Sequence, residues 1–173
     1  SVQSFFEAKS YALVGATGNK DKLGWHIVDN FLTKFNGKSY FVNPKGGEIE
    51  GRPVYKSVRD IPDPVDAAVI AIPSRFVQQV VEDCVAKGVK AIIVESGGFA
   101  EISVEGRIMQ DKLVETIQGT PSRIIGPNCI GVLSPNNGID TFFIPSGRVS
   151  RPDHGPISFF TQSGALGSAI LTA

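Results

Sequence analysis

A glycine-rich loop behind the first apolar run contains the residues with the clearest capacity for chemistry. Gly15, Gly18 and Gly24 surround Thr17 in this loop. Such a turn between a strand and a helix presents backbone N–H groups and the positive end of a helix dipole to a phosphate. The spacing departs from the dinucleotide fingerprint G-x-G-x-x-G, because Thr17 stands at the middle glycine position and the last glycine is displaced to Gly24. The pattern predicts phosphate binding, and a glycine turn that only connects strand to helix is the alternative.

A lysine near the end of the second predicted strand narrows the class of ligand. Val42 is followed by Asn43, Pro44 and Lys45, and no acidic residue occurs until Glu48. NAD-binding folds place Asp or Glu here, about 20 residues after the glycine loop, to accept the ribose hydroxyls. A cation instead favours a ligand with an extra phosphate on its ribose, which both NADP and coenzyme A (CoA) carry. The alternative is that Lys45 is a solvated loop residue.

Three later segments also follow predicted strands. They are Ile72-Pro73-Ser74, Val94-Glu95-Ser96-Gly97-Gly98 and Gly126-Pro127-Asn128-Cys129-Ile130-Gly131. Ligands of open parallel sheets lie outside the carboxyl ends of the strands, so these segments are expected to meet at one crevice. Ser74 is alternatively the N-cap of the next helix. Cys129 is interpreted as a small buried hydrophobe and not as a nucleophile, because no partner base is visible nearby.

The elements that must position these residues alternate along the chain. Short apolar runs predict strands at 11–15, 39–42, 66–72, 91–94 and 123–125. Helical periodicity separates them around Trp25 to Leu32, from Ser74 to Lys87, and from Val104 to Ile117. Repeated strand–helix–strand units wind right-handedly, so we expect an α/β fold with a Rossmann-like, doubly wound parallel sheet.

The last part of the chain has a different character. Turn-forming residues dominate positions 136–155, which places a domain boundary near residue 150 and predicts a first domain over 1–150. A strand at Ile157–Phe160 and a helix from Ala165 to Leu171 are expected after it. One strand and one helix cannot bury both faces of an α/β layer, so residues 151–173 are interpreted as a linker and the truncated start of a second domain.

Composition excludes several classes of protein. The 173 residues contain 17 Lys and Arg against 17 Asp and Glu, and this balance offers no long-range attraction to nucleic acid or an anionic membrane. Two cysteines cannot build a disulfide framework, which favours a reducing, cytoplasmic setting. The apolar runs are far shorter than the ~20 residues of a membrane span. No cluster of carboxylates resembles a metal site, so no metal ligands are predicted.

The ordered motifs resemble those of the NDP-forming acyl-CoA synthetases, which include succinyl-CoA synthetase α-subunits and ADP-forming acetate–CoA ligases. The resemblance extends over essentially the whole chain. It is carried by Val14-Gly15-Ala16-Thr17, Val42-Asn43-Pro44-Lys45, Asp63 to Ile70, Gly97-Gly98-Phe99-Ala100-Glu101, Gly126 to Gly131, and Thr161-Gln162-Ser163-Gly164-Ala165-Leu166-Gly167. It implies a CoA-binding domain followed by the start of a flavodoxin-like ligase domain.

The resemblance also implies particular site residues. It implies CoA contacts at Thr17, Gly18, Asn19, Lys20, Lys45, Val94, Glu95 and Ser96, and the loops described above add Gly15, Pro73 and Ser74 to the expected CoA site. Asn128, Cys129, Ser163 and Gly164 match positions where a phosphorylated histidine docks. That histidine is expected beyond Ala173, and neither His26 nor His154 substitutes for it, so no catalytic residue is assigned to this chain.

The complete enzyme implied by the resemblance makes acyl-CoA from a carboxylic acid, CoA and ATP through an acyl phosphate and the phosphohistidine. ATP and Mg²⁺ belong to an ATP-grasp subunit or domain, and the complete enzyme is expected to be an oligomer. This chain alone is expected to be inactive. Two alternatives stay open: a non-catalytic CoA-binding or sensor module, alone or fused to an acyltransferase, and an NADP-dependent oxidoreductase domain.

Overall fold

A computed structural model describes residues 2–173, and its centre is one seven-stranded sheet. Its strands are β1 (Ser10–Val14), β2 (Lys38–Val42), β3 (Glu48–Ile49), β4 (Arg52–Tyr55), β5 (Ala67–Ile70), β6 (Ala91–Val94) and β7 (Arg123–Ile125). The α-helices are α1 (Leu23–Thr33), α2 (Val77–Lys87), α3 (Val104–Ile117) and α4 (Gly164–Thr172). Strands β8 (Leu133–Ser134) and β9 (Ile139–Asp140) form a separate antiparallel pair. Within the described residues, no helix is long and apolar enough to cross a bilayer.

The strand order confirms the doubly wound parallel sheet. Across the sheet the order is β3-β4-β2-β1-β5-β6-β7, and every neighbouring pair is parallel except β3 with β4. From β1 the chain moves outward through β2 and β4, and then returns to place β5 on the other side of β1. The order therefore reverses between β1 and β5, and the crevice expected in such a sheet lies at the carboxyl edge between these two strands.

The central strands form because their side chains are apolar on both faces. All residues of β1, β5 and β6 are buried. Tyr11 and Leu13 pack with α1 on one face of the sheet, whereas Ala12 and Val14 pack with α2 and α3 on the other. A strand covered by helices on both faces shows such a continuous apolar run instead of an alternating one.

The helices agree closely with their predicted ranges. Gly88 adopts a left-handed conformation (φ 83°) and ends α2, as expected for a glycine C-cap. Ser103 caps α3 through its side chain, which accepts the backbone N–H of Gly106 at 3.0 Å. The segment predicted as one helix from Ser74 begins with a 3₁₀ turn over Ser74–Phe76, and α2 follows it directly.

The observed strands depart from the sequence-based expectation at two places. The predicted strand at Ile157–Phe160 is wrong, because the chain there is irregular and these four residues are exposed. An apolar run becomes a strand only when a neighbouring ladder accepts its backbone groups, and the described residues supply none here. The β3–β4 hairpin was not expected, since Pro53 interrupts the only apolar pattern in β4.

An ion cluster holds the segment from β9 to Arg151 against the C-terminal end of α1. The buried carboxylate of Asp140 accepts hydrogen bonds from Lys34 Nζ at 2.9 Å and Arg151 Nε at 2.7 Å. It also accepts the backbone N–H of Phe142 at 3.2 Å. Arg151 reaches further to the carbonyl of Ile144 at 2.8 Å. Residues 139–151 are therefore held against α1, and the boundary near residue 150 stays a prediction.

Replacing Asp140 tests how much this cluster contributes to the free energy of unfolding. Asp140→Asn leaves the nearly buried Arg151 guanidinium without its counter-charge, so we expect a loss of about 3–5 kcal/mol in the free energy of unfolding. Asp63→Asn is the control. Asp63 pairs with Lys38 on the surface and accepts the Tyr40 hydroxyl at 2.6 Å, and because an Asn oxygen can still accept that hydroxyl, the loss should be no more than about 1 kcal/mol. Urea unfolding at neutral pH measures both, and equal losses would contradict the assignment.

Candidate functional site

The loop after β1 is shaped by a close approach between backbones. Gly15 has φ of 98°, and a Cβ on it would lie 2.3 Å from the carbonyl oxygen of Ala71, immediately after β5. A Cβ on Gly24 would likewise lie 2.4 Å from the carbonyl oxygen of Gly15. Only glycine tolerates these distances, so both residues are required for the loop to lie between β5 and the start of α1.

Side chains of the loop hold its own backbone. Thr17 Oγ1 accepts the N–H of Asn19 at 3.1 Å, and Asn19 Oδ1 accepts the N–H of Asp21 at 2.9 Å. Gly18, Asn19 and Lys20 are exposed, and the Lys20 ammonium lies 5.4 Å from the Trp25 ring centroid. The side-chain oxygens of Thr17 and Asn19 are thus engaged within the loop.

Helix α1 begins without a side-chain cap. Its N-cap residue is Lys22, whose side chain makes no capping hydrogen bond. The first backbone N–H groups of a helix have no intrahelical partner, and with the helix dipole they attract anions. The start of α1 therefore remains able to receive a phosphate at the β1–β5 crevice.

The loop after β2 is joined to the glycine loop by Asn43. Its Nδ2 donates to the carbonyl of Ala16 at 3.0 Å, and its Oδ1 accepts the N–H of Lys45 at 3.0 Å. Its carbonyl also accepts the N–H of Gly46 at 2.9 Å, which closes a turn over residues 43–46. Lys45 is exposed on this turn. Asn43 was not among the predicted site residues, although Asn-Pro directly after a strand is a recognisable turn signal.

The residues after β5 and β6 meet at the same edge of the sheet. Ser96 is buried, and its hydroxyl accepts the N–H of Ile72 at 3.0 Å. Pro73 is exposed and precedes Ser74, whose Oγ would lie 2.8 Å from a Cβ on Gly98. Ser74 is not the helix N-cap, because it is the first residue of the 3₁₀ turn and Pro73 occupies the cap position.

The predicted contacts of the β6 end are buried side chains. Val94 is fully buried, and Glu95 and Ser96 are each 7% exposed. The Ser96 hydroxyl accepts the N–H of Ile72, and its carbonyl accepts the N–H of Asn128, both at 3.0 Å, so both oxygens of Ser96 are engaged within the chain. The structure brings the loops of all eleven residues predicted to bind CoA to one edge of the sheet. The side chains of Val94, Glu95 and Ser96, however, are buried in the interior.

Glu95 lies beneath the loop over residues 126–131. A Cβ on Gly131 would lie 2.6 Å from Glu95 Oε1, and neither carboxylate oxygen makes a well-formed hydrogen bond within residues 2–173. Burial raises the pKa of Glu95 well above its ordinary value; the hydroxyl of Thr141 opposes this shift and the charge of Asp140 adds to it. The arrangement favours a protonated, neutral carboxyl group.

The loop over residues 126–131 is folded back onto β6. Asn128 has φ of 56°, and its N–H donates to the carbonyl of Ser96 at 3.0 Å. The Cys129 thiol donates to the carbonyl of Val94 at 3.4 Å. Burial, with the nearby Glu95, raises the pKa of Cys129 to about 12. A thiol in this environment is protonated at neutral pH, which agrees with its interpretation as a packing residue.

The start of α4 contacts the same loop. A Cβ on Gly164 would lie 2.8 Å from Ile130 Cγ2, so the first turn of the helix packs directly on this side chain. Ser163 caps α4 by accepting the N–H of Leu166 at 3.2 Å. The structure therefore brings Ser163 and Gly164 close to the loop that carries Asn128 and Cys129. His26 is half-buried on α1 and His154 is exposed before α4.

Glu101 fills a concave turn of backbone N–H groups after β6. Its Oε1 accepts the N–H of Gly98 at 2.6 Å, and its Oε2 accepts that of Phe99 at 3.1 Å. Partial burial opposes ionisation, but these backbone hydrogen bonds prevail and hold the pKa of Glu101 below its ordinary value. Glu101 thus fixes the glycine turn at the β6 end with an internal anion. Among residues 2–173, no three His, Cys, Asp or Glu side chains are grouped to hold a metal ion.

This fold defines a class of protein, namely a Rossmann-like α/β domain with a glycine-rich loop at its switch point. The model of a family described as a CoA binding domain matches residues 9–135. The chain belongs to this family of CoA-binding domains, as its resemblance implied.

Comparison with known proteins points to one group of relatives. The alpha subunit of acetate–CoA ligase (ADP-forming) I from Pyrococcus furiosus is 43% identical over 176 residues, covering 99% of this chain and 37% of that protein. The crystal structure of PH0766 from Pyrococcus horikoshii OT3 matches with a TM-score of 0.90 and 38% identity, over 99% of this chain and 38% of that one.

A second solved structure gives a similar result. The apo form of the dinucleotide forming acetyl-coenzyme A synthetase 1 from Ca. Korarchaeum cryptofilum matches with a TM-score of 0.87 and 35% identity, over 99% of this chain and 36% of that one. The chain thus spans between 36% and 38% of the length of these three proteins.

Removing the charge of Glu101 tests its role in the glycine turn. Glu101→Gln should lower the midpoint of urea unfolding at pH 7, because a neutral amide is a weaker acceptor for the two backbone N–H groups. The folded-state pKa is lowered, so the carboxylate stabilises the fold above the ordinary glutamate pKa and loses this effect as the pH falls through the folded-state pKa.

The difference between the two proteins should therefore shrink as the pH falls from about 5 to about 3. Glu115→Gln, on the exposed face of α3, is the control and should leave the midpoint unchanged. A difference that persists undiminished at the acidic end would show that the charge is not its source.

Proposed function

We propose that this chain holds CoA in the β1–β5 crevice and forms the CoA-binding part of an ADP-forming acyl-CoA synthetase. The observation that carries the proposal is the joint position of two features. The uncapped start of α1 opens at the switch point, and Lys45 stands on a turn that Asn43 ties to the same glycine loop. Membership of the CoA-binding domain family supports it.

The phosphate groups of CoA have matching features in this arrangement. Backbone N–H groups of the glycine loop and of the first turn of α1 receive the diphosphate. The Lys45 ammonium receives the phosphate on the ribose, which distinguishes CoA from NAD. Pro73 and Ser74 line the crevice from the β5 side, and the buried residues Val94, Glu95 and Ser96 support it from the β6 end.

A second anion site is proposed at the start of α4. Leu166 and Gly167 donate their N–H groups to Ser163, which leaves the N–H groups of Gly164 and Ala165 for an anion. Asn128 and Cys129 lie on the loop whose Ile130 touches Gly164. In this proposal a phosphohistidine docks between the helix start and the loop, where dipole and N–H groups both favour its negative charge.

The complete protein would convert a carboxylic acid, CoA and ATP to acyl-CoA, ADP and phosphate. The phosphoryl group passes through an acyl phosphate and a carrier histidine, and neither His26 nor His154 serves as this carrier. ATP and Mg²⁺ are assigned to an ATP-grasp subunit or domain. The names of the relatives support this assignment, since one is the alpha subunit of an ADP-forming ligase.

Calorimetric titration with CoA, NADP and NAD tests the ligand. CoA should bind more tightly than either nicotinamide dinucleotide, because Thr17 replaces the middle glycine of the dinucleotide fingerprint and Lys45 favours a ribose phosphate. If NADP binds with a lower dissociation constant than CoA, the proposal is refuted and an oxidoreductase domain is favoured instead.

Amide chemical shifts of the ¹⁵N-labelled chain test the docking site. Phosphoramidate, a small N-phosphoryl anion, should shift the resonances of Gly164 and Ala165 and of the loop residue Asn128. The resonances around Lys45 serve as an internal reference, since CoA and not phosphoramidate should move them most. Shifts confined to the glycine loop after β1 would show that α4 does not receive the anion.

A further inference from the structure

Lys56 lies one strand outward from Lys45 at the same edge of the sheet. Strand β4 runs parallel to β2, with Val42 opposite Tyr55, and the N–H of Asn43 donates to the carbonyl of Tyr55 at 2.9 Å. Lys56 directly follows Tyr55, so it leaves β4 beside the turn over residues 43–46. Its position depends on β4, which sequence periodicity did not reveal.

The side chain of Lys56 extends along this turn. A Cβ on Gly46 would lie 3.5 Å from Lys56 Cε and 3.7 Å from Lys56 Cγ. The methylene chain therefore packs against the backbone of Gly46, which follows Lys45 in the sequence. Contact of this kind between an aliphatic stem and a fixed surface limits where the ammonium group can lie.

The turn that supports both lysines is fixed from two sides. The Asn43 side chain bonds the N–H of Lys45 and the carbonyl of Ala16, both at 3.0 Å. Because Ala16 belongs to the glycine loop, the turn keeps its position relative to the β1–β5 crevice. Lys45 and Lys56 are thus carried by one frame that also includes the phosphate-receptive loop.

Neither ammonium group has a counter-charge in the described part of the chain. Lys34 and Lys38, by contrast, pair with Asp140 and Asp63 at 2.9 and 3.0 Å, whereas Lys45 and Lys56 make no ion pair or side-chain hydrogen bond within residues 2–173. Both lysines leave the sheet beside the same turn, so a bound anion at this edge would be attracted by two positive charges.

We propose that Lys56 is a second cation for the ribose phosphate of CoA and acts together with Lys45. The inference rests on the proposed function and adds a specificity-determining residue to it. A terminal phosphate monoester carries close to two negative charges at pH 7 and has three acceptor oxygens. It can therefore accept both ammonium groups, whereas each phosphate of the diphosphate link carries a single charge.

Calorimetry with CoA and with dephospho-CoA, which lacks the ribose phosphate, isolates this interaction. Lys56→Met should weaken CoA binding by about three- to thirtyfold, the range between an exposed ion pair and a charge-assisted hydrogen bond, and should leave dephospho-CoA binding unchanged. Lys56→Arg should retain most of the affinity. Lys112→Met on the exposed face of α3 is the control and should change neither ligand.

A double-mutant cycle with Lys45→Met completes the test. If the two lysines share one phosphate, the fold-losses for CoA should not multiply in the double variant, because the remaining cation rearranges around the same group. Lys56→Gln repeats the measurement with a polar neutral side chain, and thermal unfolding checks that each variant is folded.

The outcomes separate this inference from the proposed function. Equal weakening of CoA and dephospho-CoA by Lys56→Met, or no change in either, would overturn the role of Lys56 while CoA binding stands. Fold-losses that multiply fully would show that the two lysines bind independent groups and would also overturn it. Failure of the unchanged chain to bind CoA would instead refute the proposed function.

Discussion

The close contact between the backbone of Gly15 and that of Ala71 is the constraint on which the site depends. Strands β1 and β5 are neighbours, yet their connections leave in opposite directions, so their first residues beyond the sheet must pass each other without side chains between them. The absence of a Cβ at Gly15 permits this passage, and Gly24 lets α1 begin against the same loop. The crevice is therefore a product of topology and of two small residues, and its chemistry is added by the loops around it.

Hydrogen bonds within the chain hold the backbone of those loops in place. Thr17, Asn19, Asn43 and Glu101 each use a side-chain oxygen to hold a nearby backbone N–H, and Ser96 does the same between the ends of β5 and β6. These contacts reduce the ordering that binding must otherwise impose on flexible segments. The start of α1 has no side-chain cap, and Lys45 and Lys56 form no ion pair within residues 2–173. One set of residues thus fixes the shape of this edge of the sheet, and a different set of groups is able to bind an anion.

The sequence predicts the core of this arrangement well and its margins poorly. Strands β1, β5 and β6 are apolar on both faces, so their runs identify them without knowledge of their neighbours. Strand β4 is not predicted, because Pro53 interrupts its four-residue pattern. The position of Lys56, which follows β4, therefore could not be predicted either. Ile157–Phe160 has the composition of a strand but no ladder to join in the described residues. Glu95 was expected at the ligand because of its motif, whereas side-chain direction depends on the loop that later covers it.

The edge strand β3 affects whether other copies of the chain can pair with this sheet. Strand β3 is only two residues long, and Gly47 and Gly51, both with positive φ, bend the backbone away on either side. Glu48 and Glu50 add negative charge where another strand would approach. A short, charged and bent margin gives an incoming strand little to pair with. The hairpin thus shields the parallel strands inside it from edge-to-edge aggregation, a hazard that any open sheet with an apolar interior must meet.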